Sequence, residues 1–128
     1  MPEFQSKEAL YAVLDKMVAL LSADEAFAQR IARADVSVAL IVSDLDAQYT
    51  LKLAKGTIEG HPGDDGSASV GVTLTANTLD RIMSGKLDGE SAYDMGLIRL
   101  RGSEWVAQSV AGYVYTMASA YKKATGQA

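Results

Sequence analysis

The sequence predicts an α+β domain, with helices gathered against a mainly antiparallel sheet. Three observations carry this. The hydrophobic period switches from helical to strand-like near Val36 and back near Leu79. Four strand-like segments follow one another so closely that an antiparallel meander is expected. The 128 residues, 48% hydrophobic and 22% charged, suit one core with little room for another, so residues 1–128 are read as one domain.

The first segment, Ser6 to Leu21, reads as an amphipathic helix. Leu10, Val13, Leu14, Met17, Leu20 and Leu21 recur at steps of three and four, behind Ser6 as N-cap. A second short helix is expected from the capping-box spacing of Ser22 and Glu25, with Ala26, Phe27, Ile31 and Ala34 inward. In Val36–Ser43, Val36, Val38, Leu40 and Val42 alternate with Ser37, Ala39, Ile41 and Ser43. The second set is only mildly polar, so this strand is expected to be covered on both faces. Asp44-Leu45-Asp46 is a turn. Gln48–Lys55 is a half-buried strand, with Tyr49, Leu51 and Leu53 on one face. Thr57-Ile58-Glu59 is a short third strand, Gly60 to Gly66 a loop or hairpin turn, and Ser69–Thr75 a fourth strand.

The helical period then returns. Leu79, Ile82 and Met83 form a stripe capped by Thr75 or Asn77, and Gly85 is placed to end it in the left-handed conformation. Glu90–Met95 is another helical turn ending at Gly96, and Leu97–Arg101 is a last strand, with Ile98 and Leu100 opposite Arg99 and Arg101. Ser103 caps a long C-terminal helix, with Glu104 in its first turn. Val106, Val110, Tyr113 and Met117 mark its apolar side, widened by Trp105, Ser109, Val114, Ala118 and Tyr121.

Composition narrows the function classes. The formal charge is −4, and no cluster of basic residues offers a phosphate-binding face, which argues against nucleic acid and against steady adhesion to an anionic membrane. No run of eighteen apolar residues exists, so stable membrane insertion is not expected. Cysteine is absent, which removes disulfides, thiolate catalysis and thiolate metal sites. Met1 to Lys7 does not lead a basic segment into an apolar one, so the expected location is cytoplasmic.

The polar candidates are few. His61, the single histidine, sits in Gly60-His61-Pro62-Gly63 with no adjacent nucleophile and reads as a solvated loop residue. Asp64 and Asp65 lack the spacing of a calcium loop and read as a turn, so no metal is expected. Ser84-Gly85-Lys86 lacks the spacing of a phosphate loop. Arg99 and Arg101, just ahead of a helix start, could hold an anionic head group, although an exposed, salt-bridged sheet face is the plainer reading.

The stretch Ser69–Leu87, SVGVTLTANTLDRIMSGKL, resembles the sterol carrier protein-2 family at its strand, short helix and "SGKL" element. Ser91-Ala92-Tyr93 and Gly96–Gly102, GLIRLRG, are similar to the family's aromatic turn and following strand, and the meander Val36–Glu59 matches in order and length. The resemblance implies a five-stranded sheet covered by helices and enclosing an apolar tunnel for a fatty acid, fatty acyl-CoA or sterol. It implies a single lipid-binding domain over residues 1–128, without cofactor. After Gly102 the chain departs from the family pattern, with Ser103-Glu104-Trp105 and a long helix carrying Tyr113 and Tyr115.

The expected function is therefore non-catalytic binding or transfer of an apolar, lipid-like ligand between sheet and helices. Five Met and six Tyr suit such a site, since Met adapts its shape and Tyr joins an apolar body to a polar tip. The expected lining is Ile82, Met83, Tyr93, Met95, Val106, Val110, Tyr113 and Met117. For each one, ordinary core packing is the competing reading. A second reading is an interaction module, in which the apolar C-terminal helix packs on a partner or on a second copy as a homodimer. A third, a small enzyme acting on a lipid, has only carboxylates, Tyr and Lys for acid–base work.

Overall fold

The computed structural model describes residues 6–64 and 66–126, the Tyr115 side chain excepted. Helix α1, Lys7–Ser22, starts where the Ser6 side chain accepts the Ala9 N–H at 3.1 Å. Its buried residues, Leu10, Leu14, Met17 and Leu21, repeat at helical steps. Helix α2, Glu25–Arg30, is capped by Asp24, which accepts from the N–H groups of Ala26 and Phe27. This corrects the Ser22 capping box. Ser22 closes α1 instead, and its hydroxyl donates to the Ile58 carbonyl at 3.2 Å.

The sheet has five strands: β1 Asp35–Val42, β2 Ala47–Ala54, β3 Thr57–Pro62, β4 Val70–Leu74 and β5 Arg99–Gly102. Their spatial order is β3-β2-β1-β4-β5. Strands β1, β2 and β3 form the expected antiparallel meander. The fourth strand does not extend it. β4 lies parallel to β1, with Val38 opposite Val70 and Val42 opposite Leu74, and β5 pairs antiparallel with β4. The sheet is therefore mixed and mostly antiparallel. The reason is visible in β1, whose Ala39 is fully buried on the face away from the helices. A strand with so little polar surface belongs inside the sheet, while β3, mostly exposed, takes the edge. β3 also runs to Pro62, so His61 sits on an edge strand and not in a loop.

Helix α3, Ala76–Met83, is capped by Thr75, which resolves the two candidates. It ends at Ser84, and Gly85 follows with φ +79°, the left-handed conformation expected of it. Helix α4, Gly89–Asp94, is capped by Asp88, and α5, Glu104–Ala124, by Ser103. α1 packs on β3 and α5, and α3 packs on α5. The other face of the sheet carries Arg99, Arg101, Gly71, Thr73, Thr50 and Lys52. There Arg101 lies across Gly71, where a Cβ would stand 2.9 Å from its Nε, and it pairs with Asp64 at 3.7 Å.

Among the described residues, no helix is long and apolar enough to cross a membrane.

Candidate functional site

Strand alternation sends one set of β1, β2 and β4 side chains toward the helices: Val38 and Leu40, Leu51 and Leu53, and Val70, Val72 and Leu74. Leu100 of β5 and Ile98 just before it complete this floor. Leu14 and Met17 of α1, Leu79, Ile82 and Met83 of α3, and one side of α5 form the walls and roof. They do not close on the floor. A cavity of about 660 Å³ remains between the layers, within the usual range for small-molecule sites.

The cavity has a direction. Most of its lining is buried or half-buried and apolar, with Leu53, Val70 and Met17 among the buried residues. Its exposed lining residues, Glu90, Tyr93, Asp94, Glu104, Gln108 and Ala111, lie on α4 and the first half of α5, so the opening is there. Tyr93 spans it. Its hydroxyl donates to Glu104 Oε1 at 2.9 Å, and that carboxylate raises the phenol above its ordinary pKa. Asp88 at the start of α4 accepts from the Ser91 N–H at 2.9 Å and the Ser91 hydroxyl at 2.8 Å, which hold its pKa below the usual carboxylate range. Three large apolar side chains are exposed at this end: Trp105 at 77%, Met95 at 63% and Tyr93 at 42%.

Of the expected lining residues, Ile82, Met83, Tyr93, Val110 and Met117 do line the cavity. Met95 does not. It is the residue after the last turn of α4 and points to solvent. Val106 and Tyr113 pack partly buried against the core, outside the lining. The cavity side of α5 is Ala107, Gln108, Val110, Ala111, Val114 and Met117, one residue further round the helix than the stripe that Val106 and Tyr113 suggest. The small residues Ala107 and Ala111 face the space, and they were the available signal for it.

Among the described residues, the carboxylate of Asp80 is buried behind α3. Asp80 of α3 accepts the Tyr121 hydroxyl at 2.8 Å, and neither residue is in the lining. His61 is exposed, with its Nδ1 3.1 Å from the Pro62 carbonyl oxygen. Asp64 accepts the Gly66 N–H at 2.8 Å, and Asp65 lies outside the described residues. Among the described residues no group of three His, Asp or Glu side chains could hold a metal ion.

Comparison with known proteins agrees with this architecture. The sequence model of the family described as "alkyl sulfatase C-terminal" matches residues 9–122. The stereoselective inverting sec-alkylsulfatase Pisa1 from Pseudomonas sp. superposes with a TM-score of 0.61 at 28% identity, covering 66% of this chain and 14% of that one. The chain thus spans about a seventh of the alkylsulfatase it matches. The sterol carrier protein domain 2 of Helicoverpa armigera gives 0.66 at 16% identity, with 93% of both chains covered. Palmitated SCP2L2 from Aedes aegypti gives 0.59 at 17% identity, covering 82% of this chain and 93% of that one. A comparison with curated protein sequences gives no match.

Proposed function

The chain belongs to the alkyl sulfatase C-terminal family and has the sterol carrier protein fold, and on that premise we propose that it holds an apolar, lipid-like ligand reversibly between sheet and helices, without chemistry. The observation that carries this reading is the cavity of about 660 Å³, lined by aliphatic side chains from both layers and open at one end. A sterol carrier-like protein of the same fold is known in a palmitated form. The family match is to the C-terminal part of alkyl sulfatases, whose substrates also carry an alkyl chain.

The energetics allow it. Burial is worth about 0.8 kcal/mol per methylene, so a sixteen-carbon chain gains about 13 kcal/mol gross. Association and ordering return about 4 kcal/mol or more. What is left is near the roughly 8 kcal/mol of a micromolar complex. No strong polar contact is required.

The test is native mass spectrometry of the purified protein with organic extraction, alongside titration of the neutral apolar fluorophore diphenylhexatriene. The expected result is a co-purifying lipid or saturable uptake of the dye with one site per chain. A protein that is bare and takes up no dye is not a lipid carrier.

A second reading has its own observation. Trp105 and Met95 are exposed at the same end of the molecule, and apolar side chains so placed suit docking on a partner or a second copy. Concentration-dependent mass in sedimentation would support it.

A further inference from the structure

We infer that the opening of the cavity selects the ligand's head group, holding an amphiphile whose head donates hydrogen bonds, a long-chain alcohol or amine, in preference to one with an anionic head. This rests on the proposed lipid-binding function and adds the head-group class to it.

The chemistry of the rim carries the inference. Where the cavity meets solvent its charged lining residues are Glu90, Asp94 and Glu104. Ionised carboxylates accept hydrogen bonds and cannot donate them. Among the described residues Gln108 is the single side-chain amide there, and the Tyr93 hydroxyl already donates to Glu104 at 2.9 Å. Among the described residues, no Lys, Arg or His lines any part of the cavity.

The basic residues that could have met an anion are elsewhere. Arg99 and Arg101 alternate to the far face of the sheet, where Arg101 is paired with Asp64. The two helix starts at the opening also carry negative charge of their own. Asp88 caps α4 and takes the Ser91 N–H, and Glu104 is the first residue of α5. A carboxylate, sulfate or phosphate head leaving the apolar interior would therefore meet three like charges and no cationic partner. An alcohol or ammonium head in the same place would donate to them.

The experiment compares dodecanol, dodecylamine, dodecanoate and dodecyl sulfate as displacers of diphenylhexatriene, below their micelle and solubility limits, at pH 7.5 and low salt. The shared twelve-carbon chain cancels the apolar contribution. The alcohol and amine are expected to displace the dye at concentrations about tenfold below those of the two anions. Raising the salt should narrow the gap between dodecanol and dodecyl sulfate in the unmodified protein, because screening weakens the repulsion. The triple variant Glu90→Gln, Asp94→Asn, Glu104→Gln should gain affinity for dodecyl sulfate and lose its preference for the amine. Anions that bind as tightly as the alcohol, or a gap indifferent to salt, overturn the head-group inference and leave lipid binding standing. Failure of the dye and all four amphiphiles to bind overturns both.

Discussion

Tyr121 and Asp80 form a buried pair whose consequences can be measured. Tyr121 is fully enclosed, and its hydroxyl is donated to a carboxylate that is itself 4% exposed. Tyr121→Phe removes a hydrogen bond to a buried charge, and a loss of about 1–3 kcal/mol is expected in urea unfolding. The phenol's pKa is raised, first by burial and then by Asp80, and that of Tyr49 is raised by burial and Asp15. The folded state thus favours the neutral phenol more than the unfolded chain does. That stability is complete below the ordinary phenol value of 10.0 and is lost progressively as pH rises above it. Unfolding followed from pH 8 to 11 should show a decline beginning near 10, shallower in Tyr121→Phe. Gly102 is the second sensitive residue. It has φ +95°, and an added Cβ would stand 2.5 Å from the Ser69 carbonyl oxygen. Gly102→Ala is expected to cost about 1–3 kcal/mol by thermal unfolding.

At the scale of elements, α5 divides into two halves. Met117, Ala120 and Tyr121 fix its second half in the core, while its first half covers the cavity with small or partly exposed side chains. Val114 lies at the junction and faces the space. Val114→Trp should fill part of the cavity, reducing diphenylhexatriene uptake severalfold while leaving the unfolding midpoint nearly unchanged. A variant that bound the dye normally would place the ligand elsewhere. The elements themselves were largely legible. Leu10, Leu14, Met17 and Leu21 state a helix by spacing alone, and Tyr49, Leu51 and Leu53 a strand. The pairing of β4 with β1 was not legible, because Val70 and Val38 are 32 positions apart and nothing local specifies which neighbour a strand will choose.

For the whole molecule, the lesson is about space. Ile82, Met83, Val110 and Met117 could be picked out as inward-facing by periodicity, yet Val72, Leu100 and Leu53 look identical to core residues in sequence. Cavity walls and close-packed walls use the same side chains, and only the separation of the two layers distinguishes them. The −4 charge was equally legible, but the gathering of Glu90, Asp94 and Glu104 at one opening depends on how α4 meets α5. A ligand that fills the space must also stabilise the fold. At a free concentration one hundred times its Kd it should add about 2.7 kcal/mol, raising the midpoint by about 10 °C in differential scanning calorimetry. A ligand that left the midpoint unmoved would be bound to both states alike, and so not in the cavity.

Trp105 is the chain's single tryptophan, and it stands in the first turn of α5, next to the Glu104 that Tyr93 bonds. Every photon of indole emission therefore originates at the doorway of the cavity. At 77% exposure its emission in the free protein is expected at the red end of the indole range, moving toward the blue when an alkyl chain or a docking partner covers it and staying still when a ligand passes inside without touching the rim. The protein carries its own optical gauge of which surface an arriving molecule touches, with no label to disturb the passage.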